Sequence, residues 1–234
     1  EGFLVSNEKV TSRARILQGN VERMGIKNAV VINSTPEIVA KNYKKCFDFV
    51  LCDAPCSGEG MFRKYDNAAD EWSEENVLLC AERQKDILHC AAKTVAGGGY
   101  LMYSTCTFSR EENEDVISAF LSEHSDFEIV PLDDDIKAVT SDGIGMPEAR
   151  RFYPHISDGE GQFLCLMKKN GEDKLDVSFD DNLKKPNKDE KAVCEKFLMD
   201  TLGAVPANVK MFRENAVLVN EEAAPNGAFS CGVT

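Results

Sequence analysis

Two cysteines and one aspartate hold most of the chemistry this sequence could perform. Asp53 and Cys56 open the stretch DAPCSGEGMFRK (53–64), and Cys106 sits in Ser104-Thr105-Cys106-Thr107. A thiolate is a strong nucleophile. Added to C6 of a pyrimidine, it turns the normally inert C5 into an enamine-like carbon. C5 can then take a methyl group, and loss of its proton expels the thiol. Two thiols and a carboxylate could divide that work: one sulfur adds to the ring, the other assists elimination, and the carboxylate holds base or methyl donor. The residues around both thiols, Pro55, Ser57, Gly58, Ser104 and Thr105, make polar loops that a core would not choose. Cys46, Cys52, Cys80, Cys90, Cys165 and Cys194 instead read as small buried hydrophobes.

The elements that must position these loops follow from the apolar pattern. Phe47 to Cys52 (FDFVLC) is too short and too rich in Phe and Val for an amphipathic helix and reads as a buried strand. Tyr100 to Tyr103 (YLMY), introduced by Gly97-Gly98-Gly99, is a second strand. Both thiols thus follow strand ends, where open α/β sheets place ligands. Gly2 to Ser6 and Asn28 to Ile32 are further strands. Between them Lys9 to Met24 forms a helix with Val10, Ala14, Leu17, Val21 and Met24 on one face. Asn33 to Pro36 turns into a short helix. Ser73 caps a helix running to about Val95, which the glycines stop. Ser109 caps another over about Arg110 to Glu123, with Glu111, Glu112 and Glu114 at the positive end of its dipole. Phe127 to Val130 is a strand, Asp133 to Glu148 a loop, and Gln162 to Lys168 the strand that ends the sheet. Strands alternating with helices predict an α/β fold with a mostly parallel sheet.

The expected organisation is a domain over 1–170, a polar linker over 171–188, and the start of a further, RNA-binding-associated domain over 189–234. In that last part Asp189 to Leu202 reads as a helix, and Val209 to Val219 as a strand pair or a strand and turn. No internal repeat is visible.

Composition bounds the rest. With 234 residues, 43% hydrophobic and 29% charged, the chain has the make-up of an ordinary globular protein. No stretch of about 18 apolar residues and no basic-then-apolar leader occurs, so a cytoplasmic protein without a membrane partner is expected. Nine cysteines are poor material for a disulfide framework, and reduced thiols are expected. Cys52 and Cys56 lack a second pair or a histidine at ligand spacing, so no metal is expected. The net charge of −13 argues against this segment alone gripping a phosphate backbone. Arg63 and Lys64 suit RNA phosphate or solvent about equally. His155 reads as a loop-orienting residue, and Gly58 and Gly60 as turn glycines.

DAPCSGEGMFRK and YSTCTFSREENE resemble the two cysteine motifs of the Nol1/Nop2/Sun family of RNA cytosine-C5 methyltransferases. The first motif, with Trp72 following, is most similar to the bacterial F-type enzymes that methylate 16S ribosomal RNA. Arg151 to His155 and Gly159 to Phe163 resemble a late motif of the same family, and the likeness covers about residues 1–170. The resemblance implies a Rossmann-like S-adenosylmethionine-dependent sheet, here lacking its first strand, acting on small-subunit ribosomal RNA. It makes Cys106 the nucleophile, Cys56 the residue that helps release product, and Asp53 a carboxylate near donor and base. Glu8 matches the acidic residue for the donor's ribose hydroxyls, although a carboxylate there also suits a helix start. Where the family usually has an aspartate near the adenine, Asn33-Ser34-Thr35 stands here, with Thr35 nearest by spacing. The family's glycine-rich donor loop would precede Glu8 and is absent, so a shortened gene product with weak or no S-adenosylmethionine affinity is expected.

Two other classes compete. A cysteine hydrolase would need Cys106 activated by His155 or His89, and no local signature accompanies the three histidines. A catalytically silent RNA-binding or ribosome-assembly fragment is the remaining alternative. Amino-group methyltransferases share a loop whose aromatic is replaced here by Cys56.

Overall fold

A computed structural model of the chain describes residues 2–26, 28–65, 69–70, 72–172, 185–205, 209–212, 215–218 and 228–231. Its elements in chain order are β1 (Leu4–Asn7), α1 (Thr11–Arg23), β2 (Ala29–Ile32), α2 (Pro36–Asn42), β3 (Phe47–Asp53), α3 (Glu74–Thr94), β4 (Val95–Thr105), α4 (Glu114–Glu123), β5 (Phe127–Ile129), α5 (Asp134–Ala138), β6 (Ser141–Gly143), β7 (Met146–Phe152), β8 (Gln162–Lys169), α6 (Lys188–Leu202), β9 (Val209–Phe212), β10 (Asn215–Leu218) and β11 (Ala228–Cys231). They fall into two compact units, Glu1–Ile38 with Ser178–Thr234, and Val39–Val177. This grouping divides the expected 1–170 domain between both. Most of the expected linker over 171–188 lies outside the described residues.

In the first unit β1 pairs parallel with β2, and β11 pairs antiparallel with β2. Every residue of β2 is buried, as its unbroken Ala-Val-Val-Ile run requires. Val21 of α1 packs with Ala29 and Val31, and Leu17 lies against them. Val10 and Met24, expected on the same helix face, are exposed because α1 begins after the one and ends before the other. Asn187 and Glu190 form a capping box on α6, and Gly203 ends that helix at φ 70°. The expected strand pair near the C-terminus is the antiparallel β9–β10 hairpin; Val219 lies outside the described residues.

The second unit is built on a sheet of order β3-β4-β8-β7-β6, with β5 also paired to β8. Helix α3 packs on β3, β4 and α4. Its inward residues Val77, Cys80, Ala81, Gln84 and Leu88 recur every three or four positions. They close over a core that includes Leu101 and Tyr103 of β4, Val116, Ile117 and Phe120 of α4, and Phe163, Cys165 and Met167 of β8.

This fold is mixed α/β, and it corrects the expectation of a mostly parallel sheet. Only β3 and β4 pair parallel in this sheet, across the 21-residue crossover α3. The other pairings are antiparallel. A parallel connection needs a crossover of about a dozen residues or more, usually a helix. The links after β5 contain only the five-residue α5, a tight turn at Gly145 (φ 70°), and a helix-free loop over 153–161. β8 therefore returns through the sheet interior instead of ending it. The expected loop over 133–148 holds α5, β6 and the start of β7. β3 is not buried throughout, for Phe49 and Leu51 are 52% and 59% exposed and, among the described residues, only β4 pairs with it.

The helix expected from Arg110 starts at Glu114, with Asn113 and not Ser109 at its N-cap position and no side-chain capping bond. Residues 110–113 stay in a turn, where the Glu112 and Asn113 side chains bond to the two thiol loops. Ser73 does cap α3, accepting from Asn76 N at 3.1 Å. That helix passes straight into β4 at Val95, and the glycines lie inside the strand.

Candidate active site

β3 and β4 run side by side, with Asp53 in register with Ser104. The chain after each strand end therefore emerges at one place. Cys56 Sγ and Cys106 Sγ stand 3.1 Å apart, and Cys106 N donates to Cys56 Sγ at 3.3 Å. Both thiols are half-buried. Asp53 is exposed, and its Oδ1 accepts from Ser104 Oγ at 2.8 Å. The structure thus brings together Asp53, Cys56 and Cys106.

The two thiols share a hydrogen bond, which links their proton affinities. The hydrogen bond to Cys56 lowers the Cys106 pKa to about 7, against the opposing pull of burial and of the Asp53 charge. Sharing that bond with Cys106, together with burial, pushes the Cys56 thiol up. These shifts favour Cys106 as the thiolate of the pair and Cys56 as the proton-bearing partner. Cys106 should lose reactivity as pH falls through about 7, whereas an ordinary thiol needs pH near 9. Iodoacetamide alkylation followed by peptide mass spectrometry should show that midpoint, and Cys56→Ala should move it upward. An unmoved midpoint would mean that Cys56 does not tune Cys106.

A buried frame beneath the thiols was not foreseen from the sequence. Glu112, expected in the first turn of a helix, is fully buried; its Oε2 accepts from Ser57 N at 3.0 Å and from Gln84 Nε2 at 2.7 Å. Burial raises its pKa, and the Ser57 and Gln84 bonds oppose the rise. Gln84 Nε2 also reaches Pro55 O at 2.9 Å, and Tyr103 Oη donates to Glu112 O at 2.7 Å. Together they tie the Cys56 loop to α3 and β4. Asn113 does the same for the Cys106 loop: its Oδ1 accepts from Thr105 Oγ1 at 2.6 Å and its Nδ2 donates to Thr107 O at 3.0 Å. The one available signal was a glutamate flanked by polar residues soon after a thiol, which helix caps share.

Glu59 braces the two loops from outside, accepting from Trp72 Nε1 at 2.9 Å and from Phe108 N at 3.0 Å. Gly58 sits at φ 78°, the left-handed turn expected of it. Gly60 serves close approach instead: a Cβ there would lie 2.4 Å from Gly161 O, while Gly60 N donates to Cys106 O at 2.9 Å. Gly60→Ala should cost about 1–3 kcal/mol of stability, the usual range for overpacking. It should also displace the Cys106 carbonyl. Urea denaturation with wild-type stability would refute this close-packing role.

The other sequence-predicted residues fall as follows. Arg63 and Lys64 are exposed. His155 is exposed and stacks on Tyr153, which stacks on Phe108 in the Cys106 loop. Glu8, in the first unit, accepts from Val10 N at 2.7 Å through Oε1 and pairs with Arg13 at 3.1 Å through Oε2, so it supports the start of α1. The Thr35 side chain hydrogen-bonds Glu37. Cys194, expected to be buried, is half-buried on α6, whereas Cys46, Cys52, Cys80, Cys90 and Cys165 are buried.

Residues 1–168 match the model of the family described as 16S rRNA methyltransferase RsmB/F. The chain belongs to this family. Among curated relatives, the ribosomal RNA small subunit methyltransferase F of Vibrio vulnificus is 36% identical over 228 residues, covering 93% of this chain and 47% of the relative. The enzyme of the same name from Shewanella denitrificans is 37% identical over 173 residues, covering 72% of this chain and 33% of the relative. The chain thus spans about half the length, or less, of these two RsmB/F relatives. Two solved Pyrococcus horikoshii structures are similar. NSun6 with SFG has a TM-score of 0.62 at 26% identity, covering 74% of this chain and 42% of that one. A methyltransferase homolog has a TM-score of 0.60 at 27% identity, covering 72% and 54%. These similarities establish the Rossmann-like methyltransferase fold of the RsmB/F family in this chain. No helix among the described residues is long and apolar enough to cross a membrane.

Proposed function

We propose that the chain's thiol site serves the methylation of cytosine C5 in RNA, with 16S ribosomal RNA as substrate and S-adenosylmethionine as donor. The observation that carries this reading is the 3.1 Å sulfur pair in two polar loops beside a carboxylate. The RsmB/F family description and the names of the relatives support the RNA substrate.

Cys106 as thiolate attacks C6 of the cytosine, forming an S–C6 bond and moving an electron pair to C5. S-adenosylmethionine supplies the methyl group that C5 takes. Water takes the proton from C5, the C5–C6 double bond re-forms, and the S–C6 bond breaks to return the Cys106 thiolate. Cys56, within reach of that sulfur, assists this second half. Asp53, fixed by Ser104, holds base or donor. The target base must be unstacked or unpaired to reach the thiols.

A carboxylate offers about four lone-pair sites, and the hydrogen bonds described above leave acceptor capacity on Glu8. Glu8 would accept from the ribose hydroxyls, and Thr35 would lie nearest the adenine.

The test is transfer of a labelled methyl group from S-adenosylmethionine to small-subunit ribosomal RNA by the protein, followed by nucleoside analysis. Label in 5-methylcytidine is expected. Label in an N-methylated nucleoside, or none, overturns the proposal.

A further inference from the structure

A second group of ligating side chains lies outside the thiol site, where α3 meets the C-terminal end of α4. His89 Nδ1 and His124 Nε2 are 3.0 Å apart. One carboxylate oxygen of Glu123 joins them, all three ligand atoms lying within 4.8 Å of one another. Two imidazole nitrogens bound to a tetrahedral zinc ion at about 2.0–2.1 Å stand about 3.3 Å apart. The observed pair is thus close to the spacing one ion imposes, and a rotation of the exposed Glu123 side chain brings in the third ligand.

The surroundings also suit a cation. The His124 ring is held between Phe120, stacked at 4.3 Å, and Phe127, edge-on at 6.1 Å, so little ordering is left for binding. His124 caps α4, its N–H donating to Phe120 O, and the carbonyl end of a helix carries partial negative charge. Asp126 and Glu123 add negative charge near the His124 ring. Lys169 is the opposing cation; its Nζ donates to Ala92 O and Val95 O at 3.3 and 3.0 Å. His89 and Glu123 are exposed, which leaves room for a water as fourth ligand. Two imidazoles and one carboxylate favour a borderline transition metal over magnesium or calcium, which prefer all-oxygen sites.

We propose that His89, His124 and Glu123 form a zinc(II) site that ties α3 to the end of α4. It revises the expectation of no metal, which rested on local spacing. His89 and His124 are 35 positions apart and meet only through helix packing.

Because the chain has nine cysteines, cobalt(II) is the probe, since thiolate ligation gives it a near-ultraviolet charge-transfer band that nitrogen and oxygen ligation does not. The expected result is one equivalent of cobalt(II) with visible d–d bands, no thiolate band, and release by zinc. His89→Asn should weaken this binding on the order of tenfold or more, the loss already seen on removing an outer partner of a metal ligand. Glu123→Gln should weaken it as well. Both residues are exposed, so neither change should disturb the far-ultraviolet circular dichroism. Thiolate-type bands alone, or equal affinity in wild type and both variants, would leave a plain imidazole hydrogen bond and overturn the proposal.

Discussion

Cys106→Ala is expected to lower methyl transfer to RNA by a factor on the order of 10⁴ or more, the scale set by removal of other enzymes' nucleophiles. Cys56→Ala is expected to leave the protein covalently joined to its RNA. The asymmetry follows from the opposite directions in which the two thiols are shifted. The sulfur whose pKa falls to about 7 is that of Cys106, and it is the one available to attack near neutral pH. Cys56, whose thiol is pushed up, stays protonated and enters after addition. In the proposed mechanism, no S–C6 bond forms without Cys106 and C5 stays inert. Without Cys56 addition can still proceed, more slowly because the Cys106 pKa rises, but the adduct loses the partner that assists its breakdown. Labelled methyl transfer measures the first loss, and a denaturing gel that resolves protein–RNA adducts measures the second. An adduct formed by Cys106→Ala and not by Cys56→Ala would exchange the two roles.

The thiol pair was legible in the sequence because each cysteine follows an apolar run that can only be a strand, and parallel neighbours β3 and β4 deliver both loops to one edge. Its support was not. Glu112 looks like a first-turn helix acid, and only the fold shows that residues 110–113 form a turn with that carboxylate beneath Ser57. The direction of β8 was hidden for a different reason. Strand patterns carry no sign, and the deciding quantity is the length of the connection between β7 and β8, too short for a crossover. The exposure of Phe49 and Leu51 escaped because an apolar run reads the same whether or not its strand has two neighbours. The His89–His124 pair depends on a helix contact between distant positions, which no local spacing encodes.

Arg151→Met should cost the chain about 3–5 kcal/mol, the loss expected when one partner of a buried ion pair is removed. The Arg151 and Glu114 side chains are each 2% exposed, and the guanidinium grips the carboxylate with Nε at 2.6 Å from Oε1 and Nη2 at 2.5 Å from Oε2. Without the arginine, Glu114 keeps one amide bond, from Ile144 N at 2.8 Å, but its charge stands unpaired in the core. The damage should also reach the thiol loop. Arg151 Nη1 donates to Phe108 O at 2.8 Å, two residues beyond Cys106. Adding Glu114→Gln should restore part of the stability, because the stranded charge is then gone, but it should not restore the hold on Phe108. Urea unfolding of the two variants measures the first effect, and the Cys106 alkylation rate reads the second. A loss under about 1 kcal/mol in the single variant would mean that water or a rearranged partner reaches Glu114, and that the pair is not the closed unit its geometry describes.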